Sequence, residues 1–212
     1  MIAQRSLSEL ALNEISFYPI LVHSVAVEAG YVNHPKDPGK ETNHGITAAT
    51  AAEWKAVLVE KFGWNGKMRD LTKEMAMYIY EFGWWKRLRC DELMAIHPLI
   101  AQRVFDFGIN AGRPRAGRAL QVVLNVSNRA GLDYADIGED GSIGDATIGA
   151  LKAYYAKRGA AGLRSLLMGM VGRHFQHYQE LCIKDKDFED FYVGWSARLE
   201  SDVAMYYKIY SN

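Results

Sequence analysis

Between Pro35 and Gly45 the chain reads PKDPGKETNHG, a polar run set between an apolar helical pattern upstream and another downstream. Pro35, Pro38 and Gly39 exclude regular helix here and force the backbone to turn back on itself. Upstream, Leu21, Val25 and Glu28 fall at i, i+4 and i+7, which predicts a helix with Glu28 on its apolar face and Gly30 as its stop. On that reading, desolvation by apolar neighbours and the negative end of the helix dipole both favour the protonated carboxyl. A neutral carboxylic acid near physiological pH is what protonation of a glycosidic oxygen requires. The turn brings Asp37 across from Glu28, and Thr42, Asn43, His44 and Thr47 add groups suited to positioning a water or sugar hydroxyls. Each residue also has a plainer reading. Glu28 can be a solvated helix end, Asp37 before proline a turn initiator, and Thr47 the cap of the next helix.

Glu28-Ala29-Gly30-Tyr31, Asp37-Pro38-Gly39-Lys40-Glu41-Thr42 and Gly45-Ile46-Thr47 together resemble the N-terminal signature of glycoside hydrolase family 108. These are N-acetylmuramidases of some phage endolysins and of bacterial, often prophage-borne, proteins labelled secretion activators. Their pattern is roughly EGGY, a spacer, DxGGxT and GIT. The family's catalytic Glu maps onto Glu28. Ala29 and Lys40 stand where the pattern has glycine, and Lys40 matters more, because glycine there can adopt positive φ or admit a substrate closely. Tyr80 to Trp85, YEFGWW, is similar to the aromatic segment closing the family's first region. Phe105 to Gly112, Leu120-Gln121, Asp140 to Thr147 and the FYVGWSAR stretch ending at Arg198 are similar to the peptidoglycan-binding region that follows it. Glu28, Asp37 and Thr42 also follow the Glu, Asp, Thr order of phage-type lysozymes, with an Asp-to-Thr interval one residue shorter.

The resemblance implies a mainly α, lysozyme-like helical fold with at most a short β-hairpin near the catalytic loop. It divides the chain into a catalytic region at 1–95 and a helical peptidoglycan-binding region at 96–212, packed as one compact unit. It implies a muramidase cleaving the β-1,4 bond between N-acetylmuramic acid and N-acetylglucosamine, with Glu28 as general acid and Asp37 and Thr42 assisting. Tyr31, His44, Thr47, Asp106 and Asn110 are the candidate substrate contacts. Asp106 and Asn110, one helical turn apart, read more ordinarily as a helix-surface pair. Peptidoglycan is the implied partner, and neither metal nor organic cofactor is called for. The alternative is a non-catalytic wall-binding or secretion-accessory protein on the same fold.

Composition sets outer bounds. The chain has 212 residues, 49% of them hydrophobic, enough for a packed core. Zero net charge argues against a nucleic-acid binder. Arg113, Arg115 and Arg118, with Arg103 upstream, form a local basic stretch that reads as a solvated helix start, or as a contact for wall carboxylates or phosphates. Cys90 and Cys182 match no metal or redox spacing and read as reduced, partly buried thiols. Glu9, Asn13, Glu14, Pro19 and His23 interrupt the apolar N-terminal stretch, which reads as neither signal peptide nor membrane span. The expectation is a protein made in the cytoplasm that reaches the wall through a holin or a secretion system.

Helix signals recur through the chain. Ser6 or Ser8 opens a first helix, and Pro19 suits the first turn of the next. Thr50 and Glu53 form a capping box before Trp54, Val57, Leu58 and Phe62, with Gly63 as the stop. Thr72 and Pro98 open two more. Further helices are expected near 114 to 126, from Leu163 to Leu181 and from Trp195 to Tyr210. Residues 131–144 form the most evident loop; its acids lack EF-hand spacing, which excludes a calcium loop of that kind.

Overall fold

The computed structural model describes residues 6–25, 29–33 and 41–210. Glu28, Asp37 and Lys40 therefore lie outside the described residues. The chain is mainly α with one small antiparallel sheet. Helices α1 (Phe17–Ser24), α2 (Ala48–Glu53), α3 (Lys55–Phe62), α4 (Lys73–Tyr80), α5 (Cys90–Ile96), α6 (Pro98–Ala111), α7 (Arg113–Asn125), α8 (Asp145–Lys184) and α9 (Glu189–Tyr210) follow in order. Between α1 and α2, strands β1 (Val32–Asn33), β2 (Glu41–Asn43) and β3 (Ile46–Thr47) pair in sequence order.

Helix α6 is the centre of the molecule. Every residue from Leu99 to Gly108 is buried, and α1, α5, α7 and α8 all pack against it. Phe105 meets Phe17 and Trp85 edge to face, with ring centroids 6.0 and 5.3 Å apart. Burying side chains of this size stabilises the fold by roughly 1.5–3 kcal/mol each. Cys90 and Cys182 are free and buried.

Local signals account for many boundaries. Ser6 and Glu9 bond reciprocally around a short 3-10 turn. Pro19 lies in the first turn of α1, Thr72 Oγ1 accepts from Met75 N at 3.3 Å, Pro98 opens α6, and Gly63 ends α3 in the left-handed region. After α4 the chain runs into a π-helical turn, Glu81–Trp85, closed by Lys86 N donating to Glu81 O at 2.8 Å.

Four expectations need correction. The apolar pattern Leu21, Val25, Glu28 does not make one helix, because α1 stops at Ser24 and Val25 is extended. The Ser24 carbonyl, which another turn would use, instead accepts from Arg198 Nη2 at 2.5 Å. The capping box expected at Thr50 and Glu53 does not form; Thr47 caps α2, as its plainer reading has it, and Thr50 lies inside the first turn and donates its N–H to Thr47 Oγ1 at 3.2 Å. The helix expected from Leu163 to Leu181 is preceded by one the sequence did not announce, from Asp145, and the two join across a break at Gly159, whose φ is 53°. Arg103 is fully buried, unlike the solvated basic stretch in which the sequence placed it.

Candidate active site and its buried support

The sheet presents the described candidates nearest the Glu28 and Asp37 segment. Register pairs Val32 with Thr42 and Thr42 with Thr47, so these three side chains share one face. The neighbouring Asn43 points inward, where its Nδ2 donates to the carbonyls of Met68 at 2.8 Å and Leu71 at 3.0 Å. That anchors β2 and leaves Thr42 half-buried, with no hydrogen bond from its hydroxyl to another described residue. His44 and Gly45 form the two-residue turn between β2 and β3, with φ of 48° and 77°. Such a turn needs positive φ at both positions, which glycine adopts freely and histidine only at some cost. Tyr31 donates its hydroxyl to Glu41 Oε1 at 2.8 Å, and the Arg69 guanidinium sits 4.1 Å from its ring centroid. Thr47, used as a helix cap, also bonds Thr50 Oγ1 at 3.1 Å.

Among α1, α6, α8 and α9 lies a buried ionic network that sequence reading missed as a unit. Arg103 Nη1 donates to Asp202 Oδ2 at 2.6 Å, and its Nη2 donates to Asp106 Oδ2 and lies 3.0 Å from His174 Nδ1. The second oxygen of Asp106 accepts from Arg198. The second oxygen of Asp202 lies 2.7 Å from His23 Nε2. Tyr206 donates to Gln102 at 2.6 Å. Helices α1, α6, α8 and α9 each contribute at least one member.

Burial opposes the Arg103 charge, but Tyr206, Asp106 and Asp202 outweigh it and hold the guanidinium protonated. Burial likewise opposes the Asp202 charge, and Arg103 and His23 overcome it, so its carboxyl titrates below the usual range. His174, pressed by burial and then by Arg103, falls to about 2 and stays neutral. The network thus sets Arg103 and Arg198 against the carboxylates of Asp106 and Asp202, with both Asp106 oxygens occupied.

Asp106 is 1% exposed and is no surface residue, a second correction to the basic and acidic side chains of this helix. Asn110, exposed at the end of α6, donates Nδ2 to the Asp106 carbonyl at 2.7 Å. The arrangement makes Arg198 a positioning residue, holding Asp106 and Ser24 together at the point where the chain leaves α1 toward Glu28. Its sequence signal was its place at the end of FYVGWSAR.

The other arginines also part company. Arg113 donates to the Gly83 carbonyl, whereas Arg115 and Arg118 line a separate groove of about 360 Å³ with Arg173. The loop acids are engaged by the protein itself: Asp133 by Arg129 and Arg158, Asp136 by Asn128, and Asp140 by Gln121 and the Ser142 N–H. No cluster of three or more His, Cys, Asp or Glu side chains suited to a metal occurs among the described residues. No helix among them is long and apolar enough to cross a membrane.

Comparison with known proteins agrees with this layout. Residues 22–112 match glycosyl hydrolase 108, and residues 115–200 match a predicted peptidoglycan domain. No curated protein matches the sequence. Among solved structures, SagA of Brucella abortus superposes with a TM-score of 0.63 at 25% identity, covering 90% of each chain. The first match contains β1 to β3 and the partners Ser24, Arg103 and Asp106, and the second contains His174 and Arg198. The chain is a glycoside hydrolase whose residues 22–112 belong to the glycosyl hydrolase 108 family, followed by a peptidoglycan-directed second region.

Proposed function

We propose that this hydrolase is an N-acetylmuramidase that cleaves the β-1,4 bond between N-acetylmuramic acid and N-acetylglucosamine. The observation that carries the reading is the ordered pair of matches, a glycosyl hydrolase 108 region with the Glu28 signature inside it and a peptidoglycan domain directly after. Glu28 protonates the leaving oxygen as the bond opens through an oxocarbenium-like transition state, and Asp37 steadies the developing positive charge or orients the attacking water. Thr42 on β2 and Tyr31 just before β1 position the sugar, with His44 and Thr47 beside them. Asn110 adds a polar contact at the end of α6, and Asp106 serves the site through Arg198. The N-terminal region carries out hydrolysis while the C-terminal region holds the wall. Peptidoglycan lies beyond the cytoplasmic membrane, so a holin or a secretion system completes this reading as the means of passage.

The test is direct. The native chain and Glu28→Gln are incubated with purified peptidoglycan, and soluble fragments are identified by mass. The native chain releases muropeptides ending in reducing N-acetylmuramic acid, and the variant loses at least about 100-fold in rate, the usual scale for removing a general acid. Full activity in the variant overturns the assignment of Glu28. Lysine at position 40, where the family pattern has glycine, favours the accessory reading, for which both proteins bind the wall and neither releases fragments.

A further inference from the structure

A groove of about 450 Å³ opens where the join of α2 and α3, the π-helical turn and the start of α7 come together. Its walls include Trp54, Trp84, Arg87, Arg113 and Glu53, and its size falls within the roughly 300–1,000 Å³ of small-ligand clefts. We propose that this groove is a binding site for an acidic muropeptide, with a sugar ring against the Trp54 and Trp84 side and a carboxylate held between Arg87 and Arg113. The proposal deepens the peptidoglycan reading above and rests on it for the identity of the ligand.

Three features point to that ligand, and the second and third favour it over a neutral glycan. The first is the fixed aromatic wall. Trp84 uses its indole N–H on the Gly108 carbonyl at 3.1 Å, so it offers the groove a held ring rather than a polar edge. Trp54 closes over Gly83, where a Cβ would stand 3.2 Å from the indole, and it packs edge to face on Tyr78. Amphipathic ring faces of this kind suit the apolar face of a sugar.

The second feature is unbalanced positive charge. Arg87 is exposed and makes no ion pair with a described residue, and Arg113 gives one N–H to the Gly83 carbonyl and leaves the rest of its fork available. Burial and then the Arg87 charge lower the pKa of Arg113, which Glu53 only partly offsets. Two like charges sharing one groove are relieved by an anion. The third feature is the first turn of α7, Gly112 to Pro114, which adds the positive end of a helix to the same wall. Gly112 is the last residue of the hydrolase match, and Arg113 and Pro114 lie just before the peptidoglycan match begins at 115, so the groove sits at the join of the two in sequence.

The experiment is calorimetric titration of the full chain with three ligands. These are a disaccharide tetrapeptide with free carboxylates, the same compound with its carboxylates amidated, and a neutral chito-oligosaccharide. The native chain binds the acidic ligand most tightly. Arg87→Ala, at an exposed position, weakens that ligand about tenfold and leaves the other two unchanged, while Arg87→Lys restores part of the loss. Equal binding of acidic and amidated ligands by the native chain, or equal weakening of all three by Arg87→Ala, overturns the proposal, as does no binding of the acidic ligand. Release of soluble fragments from whole peptidoglycan is followed in parallel. Charge-selective binding without release keeps the groove and removes the hydrolase reading; release with binding indifferent to Arg87 does the reverse.

Discussion

Asp202 shows how much one side chain carries in this molecule. Its carboxylate faces Arg103 and His23, and it lies on α9, far along the chain from both. Replacing it with alanine leaves a fully buried guanidinium with Asp106 as its remaining carboxylate, and that carboxylate is shared with Arg198. Breaking a buried pair from one side costs about 3–5 kcal/mol. Asp202→Ala is therefore expected to lower the urea midpoint sharply, with an exposed control such as Asp190→Ala unchanged; equal midpoints for the two would refute the role given to the network. None of this was legible in the sequence. Arg103 stood among other basic residues, and its partners come from positions 99 and 3 residues away, the first of which no local pattern reports.

At the scale of elements, what could be read was what is decided locally. Thr72, Pro98 and Gly63 were recognisable because a cap or stop is made by the residue and its own next turn. The end of α1 was not, since the residue that takes the Ser24 carbonyl is 174 positions away. The start of α6 was only half legible. Pro98 announced it, but the cap is His97, whose Nδ1 accepts from Leu99 N at 3.2 Å. Histidine is outside the usual set of capping residues.

That cap needs a neutral ring, and burial lowers the His97 pKa to about 4. An unfolded histidine titrates near 6.5, so between those values the unfolded state binds more protons. Stability is accordingly full above about pH 6.5 and falls as the pH drops toward 4, by about 3 kcal/mol at most from this residue. His97→Asn keeps an acceptor for the Leu99 N–H and removes the titration. Its stability should decline less steeply over that interval, by about one proton, with His174 supplying the slope that persists. An unchanged slope in urea melts across pH 4 to 6.5 would rule this out.

For the whole molecule, the two matched regions meet through α6. That helix belongs to the hydrolase match, while His174 and Arg198 belong to the peptidoglycan match and reach into the same network. A chain cut at residue 112 would keep Arg103 and Asp106 and lose Asp202, Arg198 and His174. We therefore expect one cooperative unfolding transition for the intact chain by calorimetry, and no folded product from residues 1–112 alone; two separated transitions would contradict this. The fold class was legible from helical periodicity and the polar turn ahead of α2, because both are properties of short windows. Among the candidate site residues, the motif supplied the names, but the division of labour between Thr42 on the sheet, Thr47 as a cap and Asp106 in the core depends on which surfaces meet.

The joint at Gly159 has its own implication for handling the protein. The helix ladder is already broken there by a left-handed glycine, and Ala156, Lys157, Arg158, Ala160 and Ala161 around it are exposed. Spliced sequence at such a place interrupts little that was continuous. A fluorescent reporter inserted after Gly159 should leave the melting temperature within a few degrees of the parent, and the same insertion after Gly169, where an added Cβ would stand 3.0 Å from Val123, should not.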